Sequence, residues 1–241
     1  MNAGIYRSTT GLLHQEARLQ AIAENLANSS MPGYKRTVTS ANPFVGTLQK
    51  AMTGERPEDG VRLARVAIDF SQGPMRTTGR ALDFAIEGDA FFVITRDGKE
   101  YYTRDGAFAV DRDGNLVTAS GAVVAGDINI PAETVVENLT LDPDGTLRDG
   151  KNALGTIRLA SFPDLQRLRR AGAGLFTAPN DMPPEEPGAS VKVHNRMLEH
   201  SNACAVLEMT DLIACMRNFE ACQKMIGIQD KLDSATIAQA I

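Results

Sequence analysis

Tryptophan is absent from the 241 residues, and aromatic side chains make up only 5% of them. A core is therefore expected to lean on Val, Ile, Leu, Ala and Met. Long apolar runs are missing too. Nothing approaches the roughly 18 consecutive apolar residues that cross a bilayer, so no direct membrane insertion is expected. The opening, MNAGIYRSTTGLLHQ, lacks a basic segment followed by an apolar one and does not read as a cleaved secretory signal. Positive charge is in deficit: the formal net charge of −5 argues against nucleic acid as a general partner. Cys204, Cys215 and Cys222 are the only cysteines, and none share CxxC spacing. An odd, late cluster of this kind is a poor disulfide framework and a poor zinc site, so reduced thiols acting as small apolar groups are expected.

Catalytic and ligand-binding constellations are equally scarce. His14, His194 and His200 form no HExxH pattern. Gly172–Ala173–Gly174 starts a GxG without the third glycine of a dinucleotide fingerprint. DRDGN at 111–115 lacks the third oxygen ligand and the closing Glu of a calcium loop and reads as a hairpin turn. RLRR at 167–170 reads as an exposed basic loop. No enzyme activity, cofactor or metal is expected.

What the chain does contain falls into regions. In the first, 1–36, Ile5, Leu12, Leu19 and Leu26 recur at intervals of seven, with Ile22 beside them. That is a helix with a coiled-coil-like seam, about 36 Å long at 1.5 Å per residue. It ends in NLANSSMPGYKR. Asn25 and Asn28 compete locally with helical hydrogen bonds, Pro32 disfavours helix at Met31, and Gly33 permits a turn. Tyr34 and Lys35 follow as an elbow, with Tyr34 expected at the corner and Lys35 and Arg36 as candidates for bridging to a neighbour or as plain surface groups. Residues 37–60 read as a polar connector.

The region 61–192 holds short β-prone runs punctuated by Asp97–Gly98, Asp105–Gly106, Asp113–Gly114, Asp144–Gly145 and Asp149–Gly150. Asp-Gly between such runs signals hairpins, because both residues tolerate positive φ. A second helix is expected in 193–241, striped by Val206, Met209, Ile213, Met216, Phe219, Met225, Ile226 and Leu232. The fold class expected is α+β. The terminal amphipathic helices pair as an inner coiled-coil-like layer, and the centre is a mostly antiparallel β-domain of hairpins. Both stripes need burial, against each other and against neighbouring subunits.

These segments resemble the bacterial flagellar rod and hook family. NLANSSMPGYKR is similar to its N-terminal signature, with Met31 where Thr is usual. SQGPMRTTGRALDFAIEGDAFFVI, YTRDGAFAVDRDGNLVTASG and LEHSNACAVLEMTDLIACMRNFEACQKMI resemble its later blocks, in order. Within the family the length, GDINIP at 126–131 and EMTDLIACMRNFE at 208–220 are closer to the proximal-rod type than to the distal-rod or hook type. The resemblance implies a structural subunit of the basal-body rod that transmits torque for motility. Its implied partners are itself and other rod subunits in a helical assembly, and the flagellar type III export apparatus, without a cleaved signal. A β-rich adhesion module with helical oligomerisation ends is the reading from another class.

Overall fold

The computed structural model describes residues 3–40, 65–172, 174–188 and 190–239. Most of the connector placed at 37–60 lies outside the described residues. The chain forms two compact units. One comprises Met1–Ala27, Thr37–Asp69 and Ala203–Ile241; the other comprises Asn28–Arg36 and Phe70–Asn202.

The first unit holds helix α1 (Ala3–Ala27) and helix α2 (Ala205–Gln239), together with the antiparallel strand pair Thr37–Ser40 and Arg65–Ile68. The helices run antiparallel, since Gln15 meets Cys215 while Asn25 meets Glu208. Helix α2 begins at Ala205, later than the boundary expected at 193, because 192–199 is taken up by strands.

The second unit is β-rich, and every ladder in it is antiparallel. Its main sheet is built around Phe91–Arg96, which pairs with Lys99–Thr103 on one side and Val123–Val124 on the other. The two-residue turn Asp97–Gly98 joins the first pair, both residues having positive φ, as the hairpin signal predicts. Asp113–Gly114 and Asp144–Gly145 also sit in hairpin connections, and Asp149 closes a strand from which Gly150 begins the next turn. Asp105–Gly106 does not: Lys99–Thr103 and Phe108–Val110 lie on opposite sides of Phe91–Arg96. Gly106 instead lets two backbones touch, since a Cβ there would stand 1.8 Å from the Phe84 carbonyl oxygen.

Aromatics, few as they are, centre this core. Phe84, Phe91, Phe92, Phe108 and Phe176 are fully buried. Phe92 meets Phe108 edge-on at 5.1 Å, and Phe91 meets Phe176 at 5.8 Å. Each ring brings a large apolar area, so a handful suffices where sheets must be bridged. Around these rings the core is built mainly from Leu, Ile, Val and Ala, as the composition leads one to expect.

Beside this core, Asp105 is partly buried and accepts the Ala107 N–H at 3.0 Å. Burial raises its pKa, the Ala107 hydrogen bond opposes this, and the nearby Asp83 carboxylate adds to the rise. A carboxyl whose folded pKa is raised makes no difference below its unfolded pKa and costs stability once pH passes the folded value. Stability contributed at this position thus falls as pH rises through the carboxylate range. Asp105→Asn, which keeps an acceptor for Ala107, is expected to raise the urea midpoint at pH 7 and leave it nearly unchanged at pH 3.

Candidate functional site

Two clusters stand out, one in each unit. The first is the elbow. After Ala27, the Met31 N–H donates to the Asn28 carbonyl at 3.1 Å, and Gly33 takes φ +66°. The Gly33 N–H then donates to the Glu199 carbonyl at 2.7 Å. A Cβ at Gly33 would lie 2.3 Å from the Arg104 carbonyl carbon, so both the dihedral and the space demand glycine. Gly33→Ala is expected to lower stability by roughly 2 kcal/mol or more, read as a drop in urea midpoint at constant slope.

Tyr34 is buried at the corner, with the Arg170 guanidinium carbon 4.6 Å from its ring centre. Part of the basic RLRR segment is therefore structural. Lys35 is where expectation and structure part. Its side chain is completely buried and cannot bridge to a neighbour. Its ammonium donates to Glu199 Oε1 at 2.6 Å and to the Ser71 carbonyl at 2.8 Å. Glu199, 1% exposed, also accepts the Gly73 N–H at 2.8 Å on Oε1 and the Arg104 guanidinium at 3.3 Å on Oε2. Arg104 stands 4.9 Å over the Phe91 ring and donates to the Gly88 carbonyl at 2.6 Å. Burial pulls its pKa down from the ordinary arginine value, and the Glu199 charge opposes this.

One carboxylate thus gathers groups from the N-terminal motif, from the SQG and TRDG segments and from LEHSN. All four segments are recognisable in the sequence, yet nothing local in them assigns a role to Glu199, Arg104 or Gly73. A lysine, an arginine and a glutamate inside otherwise apolar and turn-forming motifs were the available signal.

The second cluster joins the helices. Asn25 is buried and binds Thr37 with both ends of its amide: Nδ2 donates to the Thr37 carbonyl at 2.8 Å, and Oδ1 accepts the Thr37 N–H at 2.7 Å. The same Nδ2 reaches Glu208 Oε1 at 3.3 Å. Further along, the Cys215 thiol donates to Gln15 Oε1 at 3.1 Å. Arg18 and Asp211 lie 3.9 Å apart at the margin, an exposed pair of little energetic weight. Burial pushes the Cys215 thiol pKa up, and the Arg18 charge opposes this.

The face of α2 turned to α1 therefore runs through Glu208, Leu212, Cys215, Phe219 and Cys222, at alternating steps of four and three, all less exposed than their neighbours. Among the described side chains of the expected stripe, Phe219 belongs to it and Met225 does not. Val206, Met209, Ile213 and Met216 lie one residue further round and are 51–71% exposed, so within this chain they do not pack on α1. On α1, Ile22 is buried and Leu12, Leu19 and Leu26 are half-buried. The side chains of Ile5, Ile226 and Leu232 lie outside the described residues. Pro32 is half-buried in the elbow.

Among the described residues, no group of three or more His, Cys, Asp or Glu side chains could hold a metal ion, and no helix is long and apolar enough to cross a membrane.

Comparison with known proteins places these features in a wider set. Residues 85–148 match the model of the flagellar hook protein FlgE/F/G D1 domain, and residues 194–239 match that of the flagellar basal body rod FlgEFG protein C-terminal. The flagellar basal-body rod protein FlgF of Caulobacter vibrioides is 31% identical over 239 residues, covering 98% of this chain and 97% of the relative. FlgG of Agrobacterium fabrum is 34% identical over 250 residues, covering 94% and 95%. FlgG of Bacillus subtilis is 27% identical over 260 residues, covering 96% and 97%.

Proposed function

Because the chain belongs to the flagellar basal-body rod protein family and is a structural subunit of that rod, not an enzyme, we propose that it polymerises through its two terminal helices into the torque-bearing shaft. The observation that carries this reading is the exposure of α2. Consecutive residues of a helix stand about 100° apart, so residues 205, 206 and 207 open three faces. Helix α1 covers the first. Val206, Met209, Ile213 and Met216 form the second, and Leu207, Met225 and Ile228, each at least 58% exposed, belong to the third. Large apolar side chains left exposed on two further faces of one helix mark surfaces suited to contact with a partner.

Copies of this chain or its rod relatives supply the missing covers. The outward face of α1 carries Leu13, Ala23 and Ala27 with Glu16 and Glu24, and the outward side of α2 carries Arg217 and Lys224. Small residues opposite Met and Ile, and carboxylates opposite cations, suit a contact between chains. Two unlike faces, set apart around one helix, favour heterologous contacts that do not close, which build a helix of subunits. Ile5, Leu12, Leu19, Ile22 and Leu26 with Val206, Met209, Ile213, Met216, Phe219 and Ile226 then form the inner coiled-coil-like layer. Some of them act within the chain and some between chains.

Within the rod, the proximal position is the better reading. It is supported by the length of 241 residues, by GDINIP at 126–131 and by EMTDLIACMRNFE at 208–220. Relatives named FlgF and FlgG are matched at similar identity, so a distal-rod or hook-type position is the alternative. The resemblance further supports export through the flagellar type III apparatus without a cleaved signal. Imaging basal bodies from a strain lacking the chain tests the assignment. Rods truncated near the motor, with lost motility, are expected; intact rods in swimming cells would refute it.

A further inference from the structure

Resting on that assembly reading, we propose that Met209 and Met216 are an oxidation-sensitive site that closes the assembly face of α2 to chains not yet incorporated. The two residues are one heptad apart on the second face, on either side of Ile213, and are 52% and 51% exposed. Their thioethers are open to a small hydroperoxide before assembly and shielded from it once a neighbouring helix lies on them. In the reaction the peroxide O–O bond breaks and an S–O bond forms. Sulfur gives up two electrons, and the departing oxygen takes a proton to leave as water or an alcohol. The product is a polar sulfoxide at the middle of an apolar stripe, where a docked helix has no donor to match it.

Exposure separates these two thioethers, together with that of Met225 at 60% on the third face, from a buried one. Met182, in the β-rich unit, is 5% exposed and is an internal control that should resist the same treatment. Leucine at 209 and 216 would fill the stripe equally well and offer no oxidisable atom, so the choice of methionine is what the proposal explains.

The experiment takes the purified full chain, untreated or exposed to hydrogen peroxide, and follows self-association by sedimentation while mapping sulfoxide by peptide mass. Conversion at Met209 and Met216 ahead of Met182 is expected. The association midpoint should move at least tenfold to higher concentration. A Met209→Leu, Met216→Leu, Met225→Leu chain, the last change removing the exposed thioether of the third face, should associate like the untreated protein before and after peroxide, whereas a chain with Met225→Leu alone should still respond. Unchanged association of the oxidised wild-type chain overturns the proposal, as does equal loss in the leucine chain. If the untreated chain stays monomeric and an Ile213→Asp chain still restores motility, the assembly face itself is wrong. The proposal then falls with it.

Discussion

Replacing Glu199 with alanine is expected to unfold the β-rich unit under conditions in which the unaltered chain is folded. The reasoning follows charge. Lys35 Nζ and the Arg104 guanidinium are both buried, and Glu199 is the carboxylate paired with each, at 2.6 and 3.3 Å. Taking it away leaves two buried cations without the carboxylate they share. Removing one partner of a buried ion pair typically costs about 3–5 kcal/mol, and here two pairs share the lost member. The Gly73 N–H, which donates to the same oxygen at 2.8 Å, loses its partner as well. Against a total stability of roughly 5–15 kcal/mol, that is enough to populate the unfolded chain heavily. Urea unfolding followed by circular dichroism measures it. A second variant separates ionic from packing losses. Lys35→Met, Glu199→Leu and Arg104→Met together should recover much of the lost midpoint, because an apolar replacement leaves no charge stranded. A Glu199→Ala chain with a wild-type midpoint would show that water reaches this cluster.

The second large effect concerns assembly, and it leaves the fold alone. Ile213→Asp changes a residue that is 55% exposed, on a face of α2 that no part of its own chain covers. Substitutions at such positions usually move stability by less than about 0.5 kcal/mol, so the monomer should unfold at its normal midpoint. Once a neighbouring helix must seal that face, the carboxylate has to be buried without a partner, and incorporation into rods should cease. Leu19→Asp should block incorporation too, and as a half-buried position of α1 it should lower the stability of the helical unit as well. Motile cells with complete basal bodies in the Ile213→Asp strain would sink the reading of α2 given above.

How far these features were legible in the sequence depends on whether they are local. The hairpin at Asp97–Gly98 was legible because the turn is written in its own two residues. The break at Pro32–Gly33 was legible for the same reason. The fate of Lys35 was not. A lysine after a turn is solvated by default, and only a glutamate 164 residues away converts it into a core group. The register of α2 was missed by one residue. Periodicity selects the most apolar register, whereas the one that meets α1 contains Glu208 and two cysteines. That polar seam works because Asn25 and Gln15 supply hydrogen bonds that the apolar register could not use. The start of α2 was misplaced for a related reason. Residues 192–195 and 197–199 are strands because Phe84–Glu87 and Met75–Thr77 pair with them, and neither partner is near in sequence.

The pairing of Lys35 with Glu199 also sets an order of events. A chain delivered end first, whether from a ribosome or through a narrow conduit, cannot seat its early lysine until residue 199 has arrived. Gln15 waits still longer, since its partner is 200 positions away. Closing such wide loops is slow compared with forming local turns. Most of the polypeptide must therefore be free before either unit can lock. Distance along the chain thus delays locking until most of it has emerged.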